Sequence, residues 1–468
     1  MKTVAAEGRA GADADPEARS RRLSSPERST SGWAARRPIA RRSCGALLAG
    51  LPALAACASV PELPAAAGGA VGGDPLLREA MASAPVLPGN SAAILYGGRR
   101  VFGALFQAIE SARDHVNLEF YIFQDVANPG GAGLSLFELL REKLGQGVAV
   151  TVIYDSLGSA DTPRAALDSL RAAGANLLSF NPANPFEARG AWRPNARNHR
   201  KIAVVDGRVA GVGGVNLDSV YENPCGPGAA ADPADGTDEA CWADIGVRLE
   251  GPAVAALQRL FFETWAKQGG GPLPARDWFP PPGRPGRTGV RVFGSAPGEG
   301  KQYFYVARLA AIMEAKRTVR LCTGYFVPTR REVEELARAA RRGVDVWLLL
   351  PSVTDTAVAT AAQRASYGPL LEAGVRIVEV KDSVLHAKIA VVDGDWSAVG
   401  SSNLDPRSVA WNNEVDAVLL GPEAAASLES AMGRVASRAA PVTLEAWRRR
   451  GAGQRLRELL SWPVRDML

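Results

Sequence analysis

The chain has 468 residues, of which 47% are hydrophobic and 22% are charged, and its net charge is +5. This balance is typical of globular proteins and excludes a chain that is disordered or fibrous along its whole length. The length suggests two domains of ordinary size. The mild basic excess fits either a solvated mixed surface or an anionic partner such as lipid or nucleic acid, and composition does not choose between them.

The first 57 residues have the pattern of an export signal. Residues 1–42 are rich in arginine and small residues without apolar periodicity, which predicts a disordered basic segment. The apolar run Cys44–Ala56 follows and is too short to span a bilayer comfortably. It ends in Leu-Ala-Ala-Cys at Cys57, which resembles a bacterial lipoprotein box, where the cysteine becomes the lipidated N-terminus. We therefore expect a membrane-associated lipoprotein of the bacterial cell envelope that faces the periplasm, with residues 58–88 as a flexible tether. The alternatives are an uncleaved signal anchor and a chance similarity in an alanine-rich stretch.

After the tether, two halves of the chain repeat one order of predicted elements. We assign the halves to residues 89–268 and 289–468, and the Pro/Gly-rich segment 269–288 to a linker. Each half has an amphipathic helix, then strands separated by helical segments, then apolar runs joined by an Asp-Gly turn that favours a hairpin. The predicted strands are 116–123, 147–155 and 173–178 in the first half and 319–326, 343–351 and 373–378 in the second. This order predicts an α/β fold with a mixed sheet covered by helices on both faces.

Two of the three histidines begin the same motif, His-x-Lys-x-x-x-x-Asp. The two copies consist of His199, Lys201 and Asp206, and of His386, Lys388 and Asp393. Each copy is followed at equal distance by a small-residue turn and an asparagine, Asn216 or Asn403. One such motif arises by chance on many surface strands, but two copies in one frame point to chemistry. The pattern predicts one phosphodiester held between two half-sites.

The spacing within each motif suits a phosphate. Side chains at i and i+2 of a strand share a face, so each histidine and its lysine point the same way. The lysine neutralises phosphate charge while a ring nitrogen stays near phosphorus, and Asn216 and Asn403 donate to the remaining oxygens. Asp206 and Asp393 complete the catalytic motifs, but their odd spacing predicts the opposite face and a structural role at the hairpin turns.

Two further carboxylates are candidates to orient the imidazoles. Glu414 and Asp244 each open the next apolar strand of their half, where they could accept a hydrogen bond from the second ring nitrogen. The long loop from Glu222 to Ala240 separates Asp244 from its motif and weakens its assignment. No cysteine and histidine cluster has metal-ligand spacing, so we expect no metal and no cofactor.

The remaining cysteines and aromatic residues are predicted to be structural. In an oxidising compartment Cys225 and Cys241 could form a disulfide that stabilises the fold by roughly 3 kcal/mol, and two unrelated thiols are an equal alternative. His115 and Cys322 are expected in the core. The C-terminal segment 445–468 has the pattern of an amphipathic helix that packs on its own domain or, alternatively, contacts a membrane.

The duplicated motif resembles that of the phospholipase D superfamily, and more narrowly that of bacterial cardiolipin synthases. The resemblance covers residues 90–468 and is carried by the segments 325–328, 342–346 and 400–408, by Asn412 and Glu414, and by 242–244 with 250–254. It implies a duplicated phospholipase D fold, two mixed β-sheet sandwiches flanked by helices with the active site between the halves. Many cardiolipin synthases begin with two membrane-spanning helices, which we do not expect in this chain.

The resemblance implies a metal-independent phosphatidyltransferase that makes cardiolipin. His199 would attack phosphatidylglycerol to give a phosphohistidine, and His386 would protonate the departing glycerol. The partners would be a phospholipid membrane, with phosphatidylglycerol and also phosphatidylethanolamine as candidate donors. Hydrolysis to phosphatidic acid is the nearest alternative. A nuclease is more remote, because no long basic stripe with interleaved aromatic residues is present, and an inert lipid-binding scaffold is the last alternative.

Overall fold

The computed structural model describes residues 74–461, except 132, 194, 224–240, 353, 355, 356 and 382. The described residues all belong to one compact unit. The predicted signal, with Cys57, the start of the tether and Cys225 lie outside the described residues. Residues 75–83, within the segment predicted as a tether, instead form a helix, because Asp74 caps its first turn and Leu77 and Ala80 are buried.

Helices and strands alternate along the first half as the sequence predicted. They are α1 (Pro75–Ser83), β1 (Leu87–Tyr96), α2 (Gly98–Ser111), β2 (His115–Phe120), α3 (Leu136–Gly145), β3 (Ala149–Asp155), α4 (Arg164–Ala172), β4 (Asn176–Phe180), β5 (Ile202–Val205), β6 (Val209–Gly213), β7 (Trp242–Ala243), β8 (Ile245–Glu250) and α5 (Ala253–Lys267).

The second half repeats this order and adds elements at its C-terminal end. They are β9 (Thr288–Ser295), α6 (Tyr303–Glu314), β10 (Thr318–Cys322), α7 (Arg330–Arg341), β11 (Asp345–Pro351), α8 (Ala357–Ala365), α9 (Tyr367–Glu372), β12 (Arg376–Val380), β13 (Val384–Leu385), β14 (Ile389–Val392), β15 (Trp396–Gly400), α10 (Pro406–Ala410), β16 (Glu414–Leu420), α11 (Pro422–Ala436), β17 (Ala439–Val442), α12 (Leu444–Arg448) and α13 (Ala452–Ser461).

The strands form two half-sheets with the same order. The first runs β4-β3-β2-β5-β6-β8-β1 and the second β12-β11-β10-β14-β15-β16-β9, with β17 added at the outer edge. Within each half-sheet three strands are parallel and the rest are antiparallel, so the predicted mixed sheet is confirmed. The half-sheets join where β1 pairs with β9, which makes one continuous sheet of 15 strands.

Three apolar layers hold the halves together. One face of each half-sheet packs against helices, with α2 and α3 on the first and α6 and α7 on the second. The opposite faces of the two half-sheets, together with α5 and α11, form a shared apolar core. The alternation along β5 shows the division, because Ile202 and Val204 enter the shared core while Ala203 and Val205 face the helices. This arrangement confirms the predicted duplicated fold.

Both Asp-Gly hairpins form as predicted. Asp206 and Gly207 have φ of 51° and 60°, and Asp393 and Gly394 have φ of 53° and 68°. Positive φ at both central residues is the requirement of the two-residue turn that matches the twist of a hairpin. The two turns lie at the end of β5 and of β14 that is remote from the histidines.

The predicted linker and the described part of the C-terminal segment, residues 445–461, contact the rest of the chain. Residues 269–287 contain no regular element, and the ring of Trp278 contacts His115 at a tilt and Phe262 edge-on. His115 is fully buried and bonds Asp114 and Gln258, so its predicted structural place is confirmed.

At the C-terminus Trp447 is buried against Tyr367, whereas Leu456, Leu459 and Leu460 of α13 are exposed. Among residues that the structure describes, no helix has the length and apolar character needed to cross a membrane.

Candidate active site

His199 is held by two consecutive residues of the other half. Its backbone N–H donates to the carbonyl oxygen of Asn413 over 2.9 Å. Its ring Nδ1 lies 2.9 Å and 3.1 Å from the two carboxylate oxygens of Glu414, the next residue along the chain. The side chain of Arg200 donates to the backbone oxygens of Glu414 and Ser295, which lie opposite each other on the paired strands β16 and β9. The first motif therefore takes its orientation from the second half of the chain.

His386 is held in the reciprocal way. Its backbone N–H donates to the carbonyl oxygen of Ala243 over 2.9 Å, and its Nδ1 lies 2.7 Å from the carboxylate of Asp244. The short strands β7 and β13 pair here in parallel, with Leu385 opposite Ala243. Both predicted carboxylates thus reach a histidine, and each belongs to the half opposite to the ring that it contacts. This crossed arrangement brings the two motifs to one place between the halves.

The two lysines lie beside their histidines in the same pocket. Nζ of Lys201 donates to the backbone oxygen of His199 over 2.7 Å, and Nζ of Lys388 donates to that of His386. Burial lowers the pKa of Lys201 to about 7 and that of Lys388 to about 8, while Glu414 and Asp244 oppose this effect for both lysines. Each lysine acts electrostatically on the other, as expected for cations that share one pocket.

Both imidazoles are neutral near pH 7. Burial, followed by the charges of Lys201 and Lys388, holds the pKa of His199 well below its usual value. Burial and Lys388 lower the pKa of His386 to about 4, and Asp244 partly offsets them. A neutral ring with a carboxylate at Nδ1 carries its proton on Nδ1, so Nε2 has the lone pair.

The two carboxylates differ in charge. Burial alone would raise the pKa of Asp244, but His386 and Lys388 bring it below the ordinary value, so this group is ionised. Burial raises the pKa of Glu414 to about 7, against the lowering effects of Lys201 and of the hydroxyls of Ser401 and Ser408. The repeated motif therefore produces two half-sites with different proton affinities.

The asparagines are unequal as well. Asn216 donates from Nδ2 to the hydroxyl of Tyr221 over 3.4 Å, and that hydroxyl lies 3.2 Å from Nδ1 of His386. Asn403 is buried, and its Oδ1 has no hydrogen-bond partner within the described part of the chain. Asn216 is thereby connected through Tyr221 to the histidine of the other half. No hydrogen bond from the described residues orients the amide of Asn403 at Oδ1.

Asp206 and Asp393 belong to the turns and not to the pocket. The Asp206 carboxylate accepts hydrogen bonds from the backbone N–H groups of residues 113–115, and that of Asp393 accepts them from residues 316–318. Strand β5 separates Asp206 from His199, and β14 separates Asp393 from His386. Their place in the catalytic set is corrected to a structural one, as their odd spacing indicated.

Several residues of the site lie outside the two motifs. Tyr221 and Ser408 place hydroxyls against the two histidine–carboxylate pairs, with Ser408 donating to Glu414 over 2.9 Å. They occupy equivalent positions in the repeat, 22 residues after each histidine, so the repeat itself was the signal that could have revealed them. Asp155 accepts from the backbone N–H of Asn198 and pairs with Arg197, which holds the loop before His199. No repeat marks these last residues, because the second half lacks their counterparts.

Comparisons with known proteins agree with this geometry. The family model described as cardiolipin synthase, PLD-like domain, matches residues 105–222 and 309–436. The cardiolipin synthase of Geobacillus thermodenitrificans is 35% identical over 340 residues, which cover 72% of this chain and 64% of that protein. Cardiolipin synthase A of Pseudomonas syringae is 35% identical over 352 residues, covering 74% of this chain and 68% of that protein. The chain thus spans about two thirds of the length of these curated relatives.

A solved structure shows the same fold. The phosphatidylserine synthase of Haemophilus influenzae superposes with a TM-score of 0.57 at 15% identity, covering 84% of this chain and all of that chain. The family model covers one segment in each half and more than half of the whole chain. The chain therefore belongs to the phospholipase D superfamily, in the family of cardiolipin synthase PLD-like domains.

Proposed function

We propose that the protein is a phosphatidyltransferase that makes cardiolipin from phosphatidylglycerol through a phosphohistidine, without a metal ion. The observation that carries this proposal is the crossed pairing, in which each motif histidine bonds a carboxylate of the other half beside a buried lysine. Two oriented imidazoles and two cations are the groups that a two-step displacement at a phosphodiester requires. The cardiolipin synthases among the relatives support the choice of substrate.

In the first step Nε2 of His199 attacks phosphorus and the bond to the glycerol oxygen breaks. His386, which must start as an imidazolium when the substrate is bound, donates its Nε2 proton to this oxygen and becomes neutral, so glycerol leaves and the phosphatidyl group stays on His199. In the second step a glycerol hydroxyl of another phosphatidylglycerol loses its proton to His386 and attacks the same phosphorus. Cardiolipin leaves and His199 is regenerated, so atoms and charges balance over the two steps.

The unequal carboxylates support this division of roles. His199 is neutral over a wide pH range, which suits a nucleophile. His386 lies against the ionised Asp244, which stabilises an imidazolium, so this ring suits the exchange of a proton. A bound phosphodiester anion would offset the charge of Lys388, one cause of the low pKa of His386, and so raise that pKa when substrate is present.

The lysines and asparagines would bind the phosphoryl oxygens. Lys201 and Lys388 are buried in the pocket, where a cation acts on a developing negative charge with little screening by water. Asn216 and Asn403 follow the two histidines at the same distance in the sequence, and we assign them to the remaining oxygens. Phosphatidylethanolamine carries the same phosphodiester and is the second candidate donor.

The assay is turnover of labelled phosphatidylglycerol in mixed micelles. Cardiolipin together with free glycerol supports the transferase, whereas phosphatidic acid alone would show a hydrolase, and no lipid turnover would show a scaffold. We expect His199→Ala and His386→Ala each to lose roughly 10³-fold or more in kcat. His115→Asn is the matched control, because this buried histidine bonds Asp114 and Gln258 outside the pocket. Activity should persist in a chelator, and its loss there would contradict the metal-free mechanism.

We also propose that the protein is anchored in the bacterial envelope by a lipid on Cys57. The lipoprotein-like sequence supports the anchor, and Cys241, which is disulfide-bonded, supports an oxidising compartment. We assign Cys225 as its partner. Cys57→Ser should release the protein from membranes, and unchanged attachment would refute lipidation there. A disulfide-linked peptide pair containing the two cysteines in a non-reducing digest tests the pairing.

A further inference from the structure

An apolar cavity lies inside the first half, beneath α2. It lies between α2 and strands β5, β6 and β8, and about 600 Å³ of space between atoms, part of it open to solvent, belongs to it. Its wall includes Phe102, Leu105 and Leu217, and glycines widen its floor at Gly211 and Gly246. Lys201 and Arg248 are its charged wall residues within the described part of the chain. A cavity lined in this way is suited to an apolar ligand and not to water.

The cavity adjoins the candidate active site at Lys201. Lys201, Ala203 and Val205 share one face of β5 and all line it, while the intervening residues point into the shared core. His199 stands two residues before Lys201, and Nζ of Lys201 bonds the His199 backbone oxygen. The lysine that we assign to the phosphate therefore forms one end of the apolar wall.

The second half has a corresponding space, which is smaller and is lined by more polar residues. That space holds about 230 Å³ and is lined by Lys388, Ala390 and Ala398, which match Lys201, Ala203 and Gly211 when counted from the histidines. Polar residues occupy the other matched positions. Arg308 stands where the first half has Leu105, Asp416 where it has Gly246, and Ser402 where it has Val215.

These polar residues make buried hydrogen bonds and an ion pair beside the second space. Ser402 donates to Asp416, and Arg308 pairs with Glu332 over 2.6 Å. The first half has no charged side chain at the positions of Arg308 and Asp416, and it has glycine at the positions of Ala398 and Asp416. An apolar space of this kind leaves hydrophobic surface without a packing partner, and an apolar ligand would cover that surface.

We propose that this cavity binds part of an acyl chain of the phospholipid whose phosphate lies between the two motifs. The inference rests on the proposed function, since that function supplies a lipid with its phosphate at Lys201. The lysine end of the cavity meets the headgroup, and the apolar wall runs away from it beneath α2. The second half, whose matching space is small and charged, offers no equivalent. The two lipids of the reaction are thus recognised unequally.

Binding of n-alkyl phosphates from ethyl to octyl, measured by calorimetry on the full chain, tests this subsite. In the wild-type protein each methylene that enters the cavity should tighten binding roughly fourfold. Gly211→Leu should abolish this gain while leaving the affinity for ethyl phosphate unchanged. A Cβ at Gly211 meets one atom within 4 Å, the Ala203 Cβ at 3.9 Å, so the leucine projects into the cavity. Ala104→Leu fills it from the helix side and serves as the second variant.

Gly103→Leu is the matched control, because this residue lies on α2 but not on the cavity wall. It should retain the wild-type dependence on chain length. The same dependence in all variants, or no binding of octyl phosphate to the wild type, overturns the acyl subsite. Absence of cardiolipin in the micelle assay, with chain-length-dependent binding intact, would instead count against the proposed function alone.

Discussion

Replacing Glu414 by glutamine should make the protein more stable and much less active. The carboxyl of Glu414 is fully buried and accepts hydrogen bonds from Ser401 and Ser408 beside His199. Burial raises its pKa from the ordinary value of 4.5 to about 7. Because the folded pKa exceeds the unfolded one, the ionised group lowers the free energy of unfolding. The difference corresponds to about 3 kcal/mol at roughly 1.4 kcal/mol per pH unit.

The sign and the pH window follow from linkage. Below pH 4.5 the carboxyl is protonated in the folded and in the unfolded state, so its ionisation does not lower the free energy of unfolding of the wild type. As the pH rises from 4.5 to about 7 the unfolded chain releases its proton first, and wild-type stability falls. Glutamine does not titrate, so the advantage of Glu414→Gln should grow across this window and level off near pH 8. Urea unfolding of both proteins at pH 5 and pH 8 measures it.

Activity should move in the opposite direction. Glutamine cannot hold the Nδ1 proton of His199 as a carboxylate does, so kcat should fall roughly 10²- to 10⁴-fold. Asp416→Asn is the matched control, because its carboxyl lies on the same strand, has a pKa raised to about 7 by burial, and bonds Ser402 instead of a histidine. It should share the pH-dependent gain in stability and keep most of the activity. Equal stabilities of wild type and Glu414→Gln at pH 8 would refute the reasoning.

Three further predictions follow from the same contacts. Tyr221→Phe removes a hydroxyl 3.2 Å from Nδ1 of His386, and steady-state kinetics should show kcat lowered several-fold with an unchanged KM; a normal kcat would remove Tyr221 from the site. Asp206→Asn weakens three bonds from backbone N–H groups, and thermal unfolding should show a loss of roughly 2 kcal/mol with kcat retained. The ratio kcat/KM should decline above about pH 8, where Lys201 and Lys388 have lost their protons, and a rate still rising at pH 9 would exclude them as the phosphate cations.

Much of the fold could be predicted because the pattern that indicates it occurs twice in the sequence. Apolar strands, Asp-Gly turns and the two His-x-Lys motifs recur in one order, so each half supports the interpretation of the other. The pairing of carboxylates with rings could not be predicted in the same way. It depends on contacts between residues far apart, such as the 2.9 Å bond from the His199 N–H to Asn413. The long loop from Glu222 to Ala240 separates Asp244 from its motif in the sequence. The position of Asp244 in space is set by the sheet that follows the loop, whatever the length of the loop.

The buried supports of His199 were beyond prediction for another reason. In the first half the carboxylate of Asp155 bonds both Arg197 and Asn198. In the second half the residues on either side of His386 are apolar, Leu385 before it and Ala387 after it. A comparison of the two halves reveals the residues that both contain, but it does not reveal residues that are present in one half alone. Charged residues such as Arg197 and Arg200 are expected at the surface from their type, and only the fold shows them buried with partners.

One small difference between the repeats explains why two similar half-sites can divide the work. Ser401 donates to Glu414, and the matching residue in the first half is Gly214. A Cβ at Gly214 would lie 2.2 Å from an oxygen of Asp244, so no serine fits beside the shorter carboxylate. Asp244 consequently lacks this hydroxyl and directs its negative charge to His386, whereas Glu414 shares its oxygens among two serines and His199. A ring that must accept and return a proton needs an ionised carboxylate beside it, and the attacking ring needs a fixed orientation with less charge beside it.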